Sequence, residues 1–556
     1  MRRLMASLLA GVVLFGVSGP VLAQEVVKVA GIDATRIVIA PPQTELARII
    51  KSGLSAAYQS APRDTRAYAQ AQKLYFFYGA RHFEPLWLEE GENGKVTFAP
   101  SAAKIIDIFK ASAAEGMRPS DYLTPDLDLD AAGTDPAKLA AVETAFSAAA
   151  VKYAQDIYGG RIAPTDINKT WTITPKRINE AEMLVKLAST DAPEDILAAL
   201  EPKHPEFHRL KEALAKFDSD ATIDQVEIPE GKTLKPGMTD ERVPLLRQRL
   251  GVAEPDVPET AGAAAAPDLT YDETLVAAVK TFQESLDLTP DGIAGPATIA
   301  ALNGGMAASK DDIIANMERW RWEPEDFGKF HVFVNLPEFR LRIMEDGVEK
   351  YTTRVVVGTP KNQTPVFSDE IEHIVVNPYW NVPASIKANE IRPHLLANPY
   401  YLDGQNMEML SGGRVVNAAA IDWSSTNIGN FHIRQKPGAG NALGRVKFLF
   451  PNQHDIYLHD TPSKSLFARS YRAYSHGCVR VENPMEFAGA LTQHEPRISQ
   501  ASLEEMFGPR EQWVNVEHKI PVHLTYFTLR VDEDGTIRSF GDVYGANKKL
   551  IELLNQ

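Results

Sequence analysis

The residues best suited to covalent chemistry lie around the single cysteine of the chain, Cys478. It closes the run Ser475-His476-Gly477-Cys478, Arg480 follows two residues later, and His459 lies 15 intervening residues before the run. A thiol with a pKa near 8.5 is only a few per cent thiolate at neutral pH. A neighbouring imidazole can take its proton and later return it to a leaving amine. The pattern therefore predicts acyl transfer through a thioester.

Alternating side chains indicate how a first strand would present the imidazole. In Asp455–Asp460, Ile456 and Leu458 face one side, and Tyr457 and His459 face the other.

A second strand, Cys478–Asn483, would use Val479 and Val481 as its core pair. The opposite face then carries Cys478, Arg480 and Glu482. If the two strands lie side by side, imidazole and thiol share one surface. Gly477 permits a tight turn before the thiol, so the amides of Gly477 and Cys478 could donate to a tetrahedral oxyanion.

These residues also fit two other interpretations. His459 and His476 could satisfy hydrogen bonds beside a structural cysteine, but the combined spacing is hard to obtain by accident. A zinc site could use a set of four ligands, His454, His459, His476 and Cys478. Zinc sites usually show closer pairs such as H-x3-H or C-x2-C, so the spacing favours acyl transfer.

The chain that must position these groups has 556 residues, 44% of them hydrophobic and 24% charged, with a net charge of −15. This length suggests three or four globular domains. The acidic balance and the lack of a basic block argue against nucleic-acid binding along the whole chain.

Residues 1–23 have the pattern of a secretory signal peptide. Arg2 and Arg3 precede an uncharged run of 14 residues, too short for a membrane span, and small residues lead to a cleavage site after Ala23. Export would carry Cys478 to an oxidising compartment, where a lone thiol is a liability unless its chemistry is used.

The rest of the chain predicts an α+β multidomain protein. Residues 24–230 form a mainly helical scaffold, 231–305 a three-helix domain and 306–328 a linker. Strand patterns begin at 329, so 329–514 is the β-rich catalytic domain, with a polar lid at about 388–430. Residues 515–556 form a C-terminal strand-helix extension.

The three-helix segment contains DETLVAAVKTFQESLDLTPDGIAGPATIAALN, which resembles the peptidoglycan-binding domain type 1 repeat. The resemblance rests on AVKTFQ, DG-x-x-G and T-x-x-AL in that order. It implies wall binding, with a purely structural spacer as the alternative.

The pattern around Cys478 resembles the YkuD-type L,D-transpeptidase signature, a His, 14–17 residues, then [S/T]-H-G-C and a following Arg or Asn. The wider chain resembles the YcbB-like branch through VNLPEFRLRI, VVVGTPKNQTPVF, NPYWNVPASI and RQKPGAGNALGRVKF. By this resemblance Cys478 is the nucleophile and His459 the base. The Asp460 carbonyl orients the imidazole, and Tyr457 adds an oxyanion donor to the amides of Gly477 and Cys478.

The resemblance gives supporting roles to Ser475, His476 and Arg480. His476 shapes the pocket or competes with His459 as the base. Arg480 holds a substrate carboxylate or pairs with an acid such as Glu482.

The implied substrates are peptidoglycan stem peptides, joined by 3→3 cross-links with release of D-Ala, in the periplasm and without a metal or organic cofactor. Penicillin-binding proteins are implied partners. Three alternatives stay open: an L,D-carboxypeptidase, a transferase that anchors a lipoprotein, and a non-enzymatic wall-binding protein.

Overall fold

The computed structural model describes residues 39–91, 95–219, 228–229, 231–253, 268–285, 290–300, 302 and 308–556. The predicted signal peptide, 1–23, lies outside the described residues. The chain divides into two units, one with residues up to 110, 119–153 and 179–196, and one with 111–118, 154–178 and 197–556. No helix within the described ranges combines the length and hydrophobicity that a bilayer crossing requires.

The first unit is mainly helical, as the periodicity predicts. Its helices are α1 Glu45–Ser60, α2 Arg66–Ala80, most of α3 Pro100–Ala111, α4 Leu129–Ala132, most of α5 Pro136–Gly159, α7 Glu180–Ala188 and most of α8 Pro193–Ala198, with the strand pair β1 Leu88–Glu90 and β2 Val96–Phe98. At its centre the buried Glu143 carboxylate accepts hydrogen bonds from the Tyr78 hydroxyl at 2.7 Å and the Leu86 amide at 2.6 Å.

The second unit contains the three-helix domain, with α10 Val243–Leu250, α11 Glu273–Ser285 and α12 Pro296–Ala300. These helices share a core that includes Val243, Leu246, Leu275 and Val279. The Gln283 side chain fixes the turn before α12, since its Oε1 accepts from the Gly292 amide at 2.9 Å.

A nine-stranded sheet is formed by described residues of the second unit, in the order β13-β5-β14-β12-β11-β6-β15-β3-β4. The strands are β3 Phe330–Asn335, β4 Arg340–Glu345, β5 Val348–Gly358, β6 Phe367–Val376, β11 Val446–Leu449, β12 Tyr457–His459, β13 Ala473–Ser475, β14 Val479–Val481 and β15 Gln512–Thr525. Val355, Val356 and Val357 have no exposed surface, so the C-terminal part of β5 is buried on both faces. Around the sheet lie α6 Pro164–Ile167, α9 Pro205–Ser219, α17 Pro484–Leu491, α18 Gln500–Glu505, the pair β16 Leu529–Val531 and β17 Ile537–Ser539, and α19 Ala546–Leu554.

The segment 306–328, predicted as a linker, contains the buried helix α13 Lys310–Trp322. Its charged residues find partners inside the protein. The Glu318 carboxylate accepts from the amides of Arg161 at 2.5 Å and Ile162 at 2.8 Å, and Arg319 donates to Asn547 Oδ1 at 2.7 Å. The helix is therefore part of the domain core and not a spacer.

The boundary predicted at 514/515 falls inside a strand. β15 begins at Gln512 and pairs with β6 in antiparallel and with β3 in parallel orientation. The residues predicted as an extension thus supply an interior strand of the large sheet. The pairing was not visible in the sequence, because β3 lies far away along the chain.

Residues 380–435, which include the predicted lid at 388–430, form an insertion with its own core. A four-stranded sheet, β7-β10-β8-β9, joins β7 Trp380–Asn381, β8 Met407–Ser411, β9 Arg414–Val416 and β10 His432–Gln435. The helices are α14 Ala384–Ile386, α15 Arg392–Ala397 and α16 Tyr401–Gly404, with a π-helical turn at Lys387–Ile391. The Trp423 side chain is buried in this core.

Candidate active site

The site is built on two adjacent parallel strands, β12 and β14, with Leu458 opposite Val479 and His459 opposite Arg480. Leu458 and Val479 have no exposed surface and belong to the main core. Because side chains alternate along a strand, His459 and Arg480 project from the other face of the sheet. The sequence prediction of two neighbouring strands with one shared polar face matches this register.

His459 is almost fully buried, and its Nδ1 lies 2.5 Å from the backbone carbonyl of Asp460. Since a carbonyl only accepts, Nδ1 carries the hydrogen and Nε2 keeps a free lone pair. Burial, together with the positive charge of Arg480, lowers the pKa of His459 to about 3. The imidazole is therefore neutral at physiological pH and its Nε2 can accept a proton.

The Cys478 side chain is partly buried, with its thiol directed to the backbone carbonyl of Asp455 at 3.8 Å. Burial of the sulfur raises the pKa of the thiol to about 11, although hydrogen bonds from Tyr457 lower it. Among the described residues no hydrogen bond joins this thiol to His459. The resting site thus holds a neutral thiol and a neutral imidazole, not an ion pair.

This resting state predicts the pH dependence of thiol alkylation. Below its pKa a thiol gains about tenfold in thiolate for each pH unit, so the rate of Cys478 alkylation by iodoacetamide should rise continuously from about pH 6 to pH 10. Mass spectrometry can follow the reaction without ambiguity, because the chain has one cysteine. A rate that levels off near neutral pH would instead indicate a preformed thiolate–imidazolium pair.

The loop before Cys478 is closed by Ser475, whose hydroxyl donates to the Cys478 carbonyl at 2.5 Å and accepts from the Gly477 amide at 3.1 Å. Gly477 has a φ of +124°, a conformation that side chains with a Cβ rarely adopt. Because its amide is already bonded to Ser475, Gly477 is not the free oxyanion donor that the sequence predicted. The Cys478 amide has no hydrogen-bond acceptor among the described residues, so it is available to an oxyanion.

Two residues that were not predicted from the sequence, Thr364 and Tyr544, support this loop through hydrogen bonds. The Thr364 hydroxyl donates to the Gly477 carbonyl at 2.7 Å and accepts from the Gly358 amide at 2.9 Å. The Tyr544 hydroxyl donates to the Gly358 carbonyl at 2.9 Å and accepts from the Thr364 amide at 3.2 Å. Thr364 lies in VVVGTPKNQTPVF, one of the stretches that support the family resemblance, but nothing in the sequence near Tyr544 indicates this contact.

His476 points away from the sheet and towards the insertion. Its Nε2 lies 2.9 Å from a carboxylate oxygen of Glu390, in the π-helical turn, and both side chains are half exposed. His476 therefore joins the loop before Cys478 to the insertion, whereas His459 has the buried, oriented position that suits a base. Glu390 is a further residue that the sequence did not single out.

Arg480 does not pair with Glu482, the acid considered in the sequence analysis. The Glu482 carboxylate instead binds the Arg354 guanidinium with two contacts, at 2.5 and 2.8 Å. Within the described part of the chain Arg480 has no ion pair, and its buried Nε has no hydrogen-bond partner. A substrate carboxylate would meet an unpaired guanidinium here.

The described residues contain no group of three or more His, Cys, Asp or Glu side chains placed to hold a metal ion. His454, a member of the considered zinc set, bonds through Nε2 to the Thr172 hydroxyl at 2.9 Å. The Asp460 carboxylate is also engaged, since it accepts from the Lys464 ammonium at 2.7 Å and the Arg445 amide at 2.8 Å.

Three known protein families match separate parts of the chain. The YkuD family, described as the L,D-transpeptidase catalytic domain, matches residues 329–498. A scaffold domain family matches residues 72–214, and a family described as "Putative peptidoglycan binding domain" matches residues 239–302.

A curated relative from Haemophilus influenzae, named "Putative L,D-transpeptidase", is 34% identical over 262 residues. The match covers 46% of this chain and 52% of the relative, so the chain spans about half the length of that protein. Two solved structures also match this chain. An L,D-transpeptidase from Xylanimonas cellulosilytica is 18% identical to it, and the match covers 54% of this chain and 100% of that chain with a TM-score of 0.17. L,D-transpeptidase 3 from Mycobacterium tuberculosis is 11% identical, and the match covers 35% of this chain and 60% of that chain with a TM-score of 0.19. The chain thus carries matches to a scaffold domain, a putative peptidoglycan-binding domain and, over residues 329–498, the L,D-transpeptidase catalytic domain, and in this it is similar to L,D-transpeptidases.

Proposed function

We propose that the protein forms 3→3 cross-links between peptidoglycan stem peptides, with Cys478 as the nucleophile. The proposal rests on one observation above all, the parallel pairing that puts Cys478 and the oriented, neutral imidazole of His459 on one face of the sheet. The substrate is a tetrapeptide stem whose third residue is meso-diaminopimelate and whose fourth is D-Ala.

In the first half-reaction the thiol leaves the Asp455 carbonyl and transfers its proton to His459 Nε2. The sulfur attacks the carbonyl carbon of the third residue, and the negative charge forms on the carbonyl oxygen. The Cys478 amide and the Tyr457 hydroxyl donate to this oxygen; such donors contribute about 3–4 kcal/mol each. The intermediate collapses, the bond to D-Ala breaks, and the leaving amine takes the proton from His459.

In the second half-reaction the side-chain amine of another stem attacks the thioester. His459 removes a proton from this amine, the carbon–sulfur bond breaks, and the leaving sulfur takes the proton from His459, which restores both the thiol and the neutral imidazole. The energy of the cleaved peptide bond is retained in the thioester, so the reaction needs no nucleotide. Residues of the chain carry the protons in both half-reactions, and none of the proposed steps uses a metal.

Peptidoglycan lies outside the cytoplasmic membrane, so the reaction requires export, and the pattern of residues 1–23 fits a signal peptide that delivers the chain to the periplasm. The three-helix domain would hold the enzyme near the glycan, and penicillin-binding proteins that act on the same wall are the proposed partners.

The test is mass spectrometry of purified disaccharide tetrapeptide incubated with the chain that begins after Ala23. The expected product is a dimer that has lost one D-Ala, linked between two third residues. A carbapenem should also add covalently to Cys478, since it presents a strained acyl group to the same thiol. Tripeptide monomers without dimers would show a carboxypeptidase, and the absence of both product and carbapenem adduct would leave a wall-binding protein without this activity.

A further inference from the structure

One face of the sheet carries a straight row of side chains that begins at the catalytic strands and extends beyond them. Arg480 on β14 lies opposite His459 on β12, His459 opposite Lys447 on β11, Lys447 opposite Val375 on β6, and Val375 opposite Trp513 on β15. Directly paired residues point to the same face. Lys447 and Trp513 therefore share the surface of the reacting groups, although the mechanism above uses neither.

Lys447 is only 8% exposed, but its ammonium has no acid within ion-pair distance among the described residues. It lies between two rings, 5.9 Å from the centre of Tyr457 and 5.6 Å from that of Trp513. The nearby Glu511 carboxylate is engaged otherwise, by the Tyr379 amide at 2.8 Å and the Trp513 indole N–H at 3.2 Å. A lysine side chain this buried, with no acid partner among the described residues, is costly to the folded protein, so this position is suited to a partner that arrives from solution.

The charges near Lys447 also favour a negatively charged partner at this position. Burial lowers the pKa of Lys447, and the negative charge of Glu511 and that of a Cys478 thiolate raise it. A carboxylate that binds here would also raise the pKa of Lys447, and its hydrogen bonds would replace the contacts with water that burial has removed.

We propose that Lys447 and Trp513 form a subsite that binds the side-chain carboxylate of the third residue of the donor stem. The inference rests on the proposed function. Neighbouring strands lie about 4.8 Å apart, so the backbone of β11 is about 10 Å from that of β14. A diaminopimelate whose carbonyl faces Cys478 extends its long side chain across β12 and brings its distal carboxylate to Lys447. The exposed indole of Trp513 covers the aliphatic part of that side chain.

The test compares two tetrapeptide donors, one with the free distal carboxylate of diaminopimelate and one with that carboxylate amidated. Replacing Lys447 by Met keeps the length of the side chain and removes the charge. We expect K447M to raise the KM for the free donor about 10- to 100-fold, the range of a lost charged hydrogen bond, with kcat changed by less than about threefold. The KM for the amidated donor should not change, and K447R should restore the preference for the free donor.

Lys548, an exposed lysine on α19, offers the matched control, and K548M should leave both KM values unchanged. An equal rise in KM for both donors would overturn the proposal. So would an unchanged KM combined with a shifted pH profile of Cys478 alkylation, because Lys447 would then act on the thiol. A preference that depends instead on amidation of the terminal D-Ala would assign Lys447 to that carboxylate and overturn the side-chain assignment.

A binding measurement separates this proposal from the proposed function. The affinity of the two donors is measured by calorimetry on C478A protein, with and without K447M. If the wild-type chain forms no product but K447M still weakens the free donor selectively, the subsite stands and the proposed reaction fails. If product forms and K447M has no selective effect on affinity or KM, the subsite is refuted and the reaction stands.

Discussion

Replacing Cys478 by Ala is expected to abolish D-Ala release and carbapenem addition, with a loss in rate on the order of 10⁴-fold or more. The loss should be this large because the described residues bring no second thiol or activated hydroxyl to the row that contains His459. Ser475, the nearest hydroxyl in the motif, is buried and bonded to the Cys478 carbonyl. Chromatographic assay of released D-Ala measures the effect.

The matched control is Cys478→Ser, which retains the shape and offers a hydroxyl. It should be nearly as inactive as the Ala variant, because imidazole-assisted ionisation of an alcohol is far less favourable than that of a thiol. Both variants should keep the thermal unfolding midpoint within a few degrees, since the side chain is small and partly exposed. Substantial activity in C478A with an intact fold would refute the thioester mechanism.

Replacing His459 by Ala should lower kcat about 10²- to 10⁴-fold, the usual contribution of a positioned general base. The resting pair explains why the thiol depends on it: with the thiol pKa near 11 and the imidazole pKa near 3, neither group ionises alone at neutral pH. Proton transfer has to occur within the substrate complex, and only Nε2 of an imidazole held through Nδ1 is free to receive the proton. Steady-state assay of D-Ala release gives kcat.

His476→Ala is the matched comparison, because it removes the neighbouring histidine of the same motif. Its loss in kcat should stay below about tenfold, since an exposed His–Glu contact of this kind contributes about 0–1 kcal/mol. Equal losses in the two variants, or a larger loss in His476→Ala, would transfer the role of base to His476. Raising the pH should rescue His459→Ala partly, because hydroxide then removes the proton from the thiol.

The part of the site that the sequence predicted depends on local rules. The alternation in Asp455–Asp460 and Cys478–Asn483 has a period of two, so the positions of Leu458 and Val479 in the core determine which face His459 and Arg480 share. The helical character of the first unit followed from its apolar periodicity in the same way.

Other parts depend on pairings between distant segments, which local patterns do not encode. Thr364 and Tyr544 support Gly477 from positions far along the chain, and Lys447 enters the row only through its register with β12 and β6. Nothing local in the predicted linker 306–328 shows that its charged residues are buried, because their partners, such as Asn547, also lie far away along the chain. Gly477 looked like an oxyanion donor because no rule of spacing shows that Ser475 already occupies its amide.

The position of β14 also bears on how the protein acquires activity as it folds. This strand is held between β5 and β12, so Arg480 has Val356 on one side and His459 on the other. Contacts between such remote segments form late and slowly in folding, since a long stretch of chain must be ordered first. Until β14 has paired with β12, Cys478 does not share a face of the sheet with His459, the base proposed for it. An incompletely folded chain should therefore lack the proposed activity, and in a refolding experiment the proposed D-Ala release should begin only when folding is complete.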